Sequence, residues 1–235
     1  IKTKVDIQNI STTEGEKQTN AEIAFGVGYV GSFLIYFFIF FFGTQVMQGV
    51  MEEKTNRIIE VIISSVKPFE LMLGKIIGIA GVALTQILIW GIIITLLSSL
   101  APLLMESNTL DASQGLNTKG QEIQVVFDAF ATLNIPLLVG SFVFYFIGGY
   151  LLYAAMFGAV GAVSDNQTDS RQLMLPITMP LIFAIMVASF VVKNPDGSLA
   201  FWASVIPLTS PVIMMVRIPF GVPIWQQIVS VVLLF

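Results

Sequence analysis

The residues whose types and spacing have chemical capacity lie between Gly49 and Gly74, GVMEEKTNRIIEVIISSVKPFELMLG. Glu52, Glu53, Lys54, Arg57, Glu60, Lys67 and Glu70 form the densest charge in the sequence, between long uncharged apolar runs. Their chemistry is ion pairing and docking rather than catalysis. The chain has no Cys and no His, which excludes disulfides, thiolate chemistry, imidazole metal sites and His-based acid–base steps. Asp165 and Asp169 are the only close aspartates. A solvated turn explains them better than a membrane enzyme does, so no metal site is expected.

The spacing in this stretch is helical. Met51, Thr55, Ile58, Ile59, Ile62 and Val66 share one face, with Glu52, Glu53, Asn56, Arg57 and Glu60 mostly opposite. This predicts a short amphipathic helix over 52–66, held at a membrane face and pushed on by a partner from that side. Glu53 and Arg57 make an i,i+4 pair worth about 0.3–0.5 kcal/mol. Pro68 ends that helix and suits the first turn of the next, where Glu70 meets the positive end of the dipole.

The elements that hold this segment are apolar. Of 235 residues, 55% are hydrophobic and 11% charged, with a mean hydropathy of +0.85. A soluble domain carries about 25% charged residues. Much of the chain therefore meets lipid, and the fold class is an all-α polytopic membrane protein. A net charge of -4 is too small to argue for nucleic acid. No signal peptide is visible. The chain stops inside the apolar run QQIVSVVLLF, and it reads as a fragment missing material at both ends.

In chain order, Ile1–Ile10 alternates with period two and predicts a strand, the end of an extracytoplasmic domain, followed by the polar linker STTEGEKQTN. Residues 1–20 thus precede a membrane domain over 21–235. Its spans are predicted near 24–49, 75–99, 136–163, 173–192 and 226–235, the last incomplete. Gly28 and Ser32 in the first span permit close approach of another helix, and Gln45 and Gln48 lie at its far end. In the second, Gly74, Gly78, Gly81 and Thr85 predict a tightly packed face, and the mid-span Gln86, near Trp90, is expected to face protein or a wet cavity. Residues 105–128 are polar and acidic, and Ile123, Val126, Phe127 and Phe130 suggest a helix lying on the membrane. The third span starts at Pro136; it carries a ladder of Ala154, Gly158 and Ala162 and a weak point at Gly148-Gly149.

DNQTDSRQ reads as a polar turn, and Pro176 and Pro180 predict a kink in the fourth span, where Thr178 is a candidate pathway residue with Gln45 and Gln86. Over 201–223, Pro207, Pro211, Arg217, Pro219, Gly221 and Pro223 break the run too often for a clean crossing. They predict two re-entrant half-helices, with Trp202 and Trp225 near the interface. Lys54, Arg57, Lys67, Lys75 and Arg171 outweigh Lys17, Lys119, Lys193 and Arg217, which puts the charged segment in the cytoplasm.

Three pieces of sequence now bear a family likeness: EEKTNRIIEVIISSVKPFELMLGK, GAVSDNQTDSRQLMLPITMP and IPLTSPVIMMVRIPFG. From about Phe25 to Phe235 the chain resembles the membrane permease of type-2 ABC exporters, nearest the sodium-efflux (NatB-like) branch. Its most specific part is the acidic residues followed by Arg57, Ile58, Glu60, Ser64, Ser65, Pro68 and Leu73-Gly74-Lys75. The resemblance implies spans two through six of a six-span permease, multi-pass in the plasma membrane and, in a bacterium, the inner one. It further implies that 52–66 is a coupling helix docking on a cytosolic ABC ATPase through Glu52, Glu53, Arg57, Glu60, Ser64 and Lys67. A second permease copy and membrane lipid are the other implied partners.

ATP and magnesium are then the ATPase's, because the chain has no GxxxxGK[ST] phosphate loop. No Asp, Glu, Lys or Arg falls within the core of a predicted span, whereas a sodium route normally uses a carboxylate or clustered carbonyl oxygens. Sodium, peptide and lipophilic cargo all stay open. An ATP-independent channel or secondary transporter is the competing reading, favoured by the broken outer helices.

Overall fold

The computed structural model describes residues 7–56, 67–106 and 135–235, which are helical almost throughout and contain no strand. The helices are α1 (Ile7–Thr55), α2 (Pro68–Glu106), α3 (Ile135–Val163), α4 (Gln167–Lys193), α5 (Ser198–Val205), α6 (Ser210–Arg217) and α7 (Ile224–Leu234), with a 3-10 turn at Ile218–Phe220 before α7. Ala24–Thr55, Pro68–Leu97, Pro136–Val163 and Gln167–Lys193 are long and apolar enough to cross a membrane. The chain is a polytopic helical bundle.

Local pattern and observed structure part first at the start of the chain. Ile7–Ile10, read as strand, open α1, and the expected linker Ser11–Asn20 continues it. Extending a nucleated helix costs little per residue, so a few alternating side chains do not halt one of 49 residues. Residues 1–6 of the predicted strand lie outside the described residues. At the other end of α1, Glu52–Thr55 form its last turn and Asn56 a turn residue. No separate helix begins at Glu52. Residues 57–66, with Arg57, Glu60 and Ser64, lie outside the described residues, as does the amphipathic stretch around Ile123–Phe130.

Two parallel helices make the core. Contact between α1 and α3 is the most extensive in the bundle. Ile35, Ile39, Phe42 and Val46 are buried against Phe146, Tyr150, Tyr153 and Phe157. Glycines let the backbones close. A Cβ on Gly161 would lie 2.6 Å from the Met47 carbonyl oxygen, and one on Gly43 would lie 2.5 Å from the Phe157 ring. Gly148-Gly149 is no weak point, because α3 runs unbroken through it. A Cβ on Gly149 would meet Ile39 at 2.6 Å and Pro211 at 2.8 Å, so close packing explains the pair.

The second helix corrects another expectation. α2 buries Ala83 and accepts the Tyr150 hydroxyl on the Ile76 carbonyl at 2.9 Å. Nothing lies within 4 Å of a Cβ built on Gly74, Gly78 or Gly81, and Thr85 and Gln86 are exposed. At 100° per residue the Gly74–Gly78–Gly81–Thr85 face lies opposite Ala83. Spacing told that these residues share a face, not which way it points. Ile77, Val82, Leu88, Ile92 and Leu96 are exposed beside it, as on a lipid-facing surface.

α1 and α3 finish, and α2 and α4 start, at what is here called the proximal end. The polar turn expected over DNQTDSRQ is shorter still: only 164–166 are non-helical, and α4 begins at Gln167, ahead of the span predicted from Leu173. Asn166 caps it, its Oδ1 accepting from the Thr168 and Asp169 N–H groups at 2.9 Å each. At the distal end the chain leaves α4, turns through Asn194–Gly197 and enters the bundle as α5. The hydroxyl of Tyr153 donates to the Leu208 carbonyl at 2.7 Å where the chain reverses. α6 then returns past Ile39 and Gly31 until Val216 lies against Gly28. That return spans roughly 12 Å at 1.5 Å per residue. Pro207 sits in the reversal and Pro211 in the first turn of α6, the half-helix pair that the prolines predict. Gly221, at φ 85°, makes the left-handed bend into α7.

Candidate functional site

The charged residues at the proximal end organise the ends of four helices. Adjacent residues in the last turn of α1 point to different neighbours. Glu53 Oε1 stands 2.6 Å from Lys75 Nζ in the second turn of α2, with 23% and 15% of the two side chains exposed. The ammonium lies off the angle for a hydrogen bond, but at that separation the attraction is coulombic whatever the angle, and shielding from water strengthens it. A Cβ on Gly49 would lie 3.3 Å from Lys75 Nζ, so the glycine makes room for the lysine.

Lys54 turns towards α3. Its ammonium donates to the carbonyls of Ser164 at 2.9 Å and Ala162 at 3.3 Å, and to Asp165 Oδ1 at 2.8 Å. A helix ends with unpaired carbonyls and partial negative charge, and a cation there contributes about 0.3–1 kcal/mol. The Lys54 ammonium holds the Asp165 carboxyl below its ordinary value, through the hydrogen bond first and then charge attraction. Beside these contacts a cleft of about 550 Å³ opens between α1 and α4, lined among others by Gln48, Glu52, Asn56, Gln167 and Arg171.

The residues named from sequence fall in different surroundings. Glu52 is exposed on the cleft, Lys67 is exposed ahead of α2, and Glu53 is half-buried on Lys75. The predicted Glu53–Arg57 pair involves a residue outside the described set. Gln45 is half-buried on α1. Thr178 is buried and donates to the Leu175 carbonyl of its own helix at 3.0 Å, and Gln86 lies exposed on α2. Gln86 therefore does not face the interior of this chain, and the three candidate pathway residues lie in different surroundings. α4 runs through Pro176 and Pro180, which leave the Gln172 and Pro176 carbonyls without helical donors.

Sequence reasoning missed Arg217. It was counted as a loop cation, yet it is 1% exposed. Its Nε donates to the Pro195 carbonyl at 2.8 Å, Nη1 to Ser204 Oγ at 2.7 Å, and Nη2 to Gln226 Oε1 at 2.8 Å. One planar fork thus ties α6 to the turn after α4, to α5 and to α7. The signal in the sequence was a lone arginine inside an apolar run with a glutamine nine residues on. The sequence likewise gives Lys54 and Lys75 no partners within the chain.

Comparison with known proteins follows from this geometry. A family model described as ABC-2 family transporter protein matches residues 1–235. The uncharacterised protein YhaP of Bacillus subtilis is 30% identical over 207 residues, which is 88% of this chain and 46% of that protein. The uncharacterised protein MJ1024 of Methanocaldococcus jannaschii is 27% identical over 213 residues, 91% of this chain and 45% of that protein. The chain spans about half the length of the curated relatives it matches. No solved structure matches it. With spanning helices, a charged proximal end and a family match over its whole length, the chain belongs to the ABC-2 transporter family.

Proposed function

We propose that this chain is the permease part of an ATP-driven exporter, and that the charged segment 52–66, which starts in the last turn of α1, is where a cytosolic ATPase acts on it. The observation that carries the reading is the proximal end of a family member: the charged stretch joining α1 to α2 starts from a helical turn whose side chains are tethered to both α2 and α3. Glu52, Lys67 and the residues from Arg57 through Glu60 to Ser64 make the docking surface. ATP and magnesium belong to the ATPase, and a second permease copy completes the route. The bias of Lys54, Lys67, Lys75 and Arg171 near the proximal end, against Lys17 and Lys193 at the other, supports a cytoplasmic proximal end. Burial of Arg217 removes a charge from the opposing side and strengthens that bias. The membrane is the bacterial plasma membrane. Likeness to the sodium-efflux branch makes sodium the first cargo to test.

The test is affinity purification of the full-length protein in mild detergent. An ABC ATPase co-purifies, and the complex hydrolyses ATP and moves sodium in proteoliposomes. Reversing charge at Arg57 and Glu60 together (Arg57→Glu, Glu60→Lys) lowers ATPase retention about tenfold, the equivalent of roughly 1.4 kcal/mol, while membrane insertion is unchanged. The re-entrant pair α5–α6 favours one other reading, an ATP-independent channel or secondary transporter. Purified chain that carries no ATPase and passes sodium down a gradient by itself would establish that reading instead.

A further inference from the structure

Resting on the exporter reading, we infer that Glu53 and Lys54 are not docking residues but a two-way yoke, passing movement of the last turn of α1 to α2 and α3 at once. The geometry divides the charges at this end into two kinds. Glu52 and Lys67 are exposed and free to meet a partner. Glu53 and Lys54 are already engaged inside the chain. The Glu53 carboxylate stands against Lys75 in a space cleared by Gly49, largely shielded from water. The Lys54 ammonium spans two carbonyls and a carboxylate at the end of α3.

These two residues are consecutive in one helical turn, so neither can shift without the other. A force on the segment that follows Asn56 reaches α1 through the backbone. Through Glu53 it reaches α2, and through Lys54 it reaches α3. α4 follows, because Asp165 and its cap Asn166 occupy the turn that joins it to α3. Without the yoke, α1 moves alone and strain is lost in the flexible side chains of its last turn. Lys75 is the positioning residue most specific to this arrangement, since it is too shielded to meet a partner directly.

Spin labels are placed at cysteines substituted for Phe69 and Gln167, both exposed at the starts of α2 and α4, with any cysteine elsewhere in the transporter and its ATPase replaced. In the full-length transporter with its ATPase, the separation of the labels is measured without nucleotide and with ATP trapped by vanadate. Glu53→Gln and Lys75→Gln each leave the ATPase bound in normal ratio but cut the nucleotide-driven change to less than half. Charge exchange, Glu53→Lys with Lys75→Glu, restores it and also serves as the folding control. A change of wild-type size in either single variant overturns the inference, as does failure of the exchanged pair to restore it. If the wild-type protein binds no ATPase or shows no nucleotide-driven change, the exporter reading itself fails, and the yoke with it. If Glu53→Gln releases the ATPase, Glu53 is a docking residue and the inference is wrong.

Discussion

A buried guanidinium in a membrane protein must use its donors, because each one left unpaired in a low-dielectric site is costly. Arg217 places three on the Pro195 carbonyl, Ser204 and Gln226. Arg217→Met keeps the volume and strands all three acceptors, at a cost of about 1–3 kcal/mol each if they stay buried. We expect a clear fall in the detergent unfolding midpoint, read from the fluorescence of the nearby Trp202 and Trp225. Arg217→Lys restores only part of the network, since a compact ammonium lacks the planar fork that spans these separated partners. No midpoint change in Arg217→Met would show the fork to be dispensable. The proximal lysines obey the same logic in milder form, because Lys54 is partly in water and its pairs are weaker than their distances suggest.

At the level of helices, small residues separate into two populations that look alike in sequence. Gly161 on α3 touches the Met47 carbonyl, whereas Gly140 on the same helix has nothing within 4 Å of a Cβ. Gly161→Ala forces two backbones apart and costs about 1–3 kcal/mol. Gly140→Ala meets no obstacle and is neutral or stabilising by about 0.5–1 kcal/mol, because alanine narrows the unfolded ensemble. Thermal midpoints of the two variants check this contrast. Helix existence was legible from hydropathy: Pro68 does open α2, Pro136 lies at the start of α3, and the proline-rich stretch breaks into α5 and α6. Burial was not. Gly78 and Gly158 both sit in small-residue ladders, but only the second meets another helix, at Met72. Helical spacing fixes angle within one helix and carries no information on where its neighbours lie.

For the whole molecule the decisive quantity is which end faces the cytoplasm. Cysteines introduced singly at Asn56 and Gln167 are expected to react with a membrane-impermeant maleimide only in inside-out vesicles, and one at Asp196 only in right-side-out vesicles. The reverse pattern would invert the topology and remove a cytosolic ATPase from reach of the charged segment. Orientation rests on a sum of charges near span ends, and that sum improved once Arg217 proved to be internal.

Composition and hydropathy alone determined that this chain lives in lipid, that it is helical, and where its polar segment interrupts the spans. Those properties are sums over many residues, and no single contact alters them. Pairing was decided only by the tertiary structure. Spacing offers Glu53 a partner in Arg57, which lies outside the described residues, but not Lys75, which the packing brings to it, and Lys54 finds the end of α3 more than one hundred residues away. An ion pair forms with whatever opposite charge the packing brings within about 4 Å, and distance along the chain does not encode that proximity.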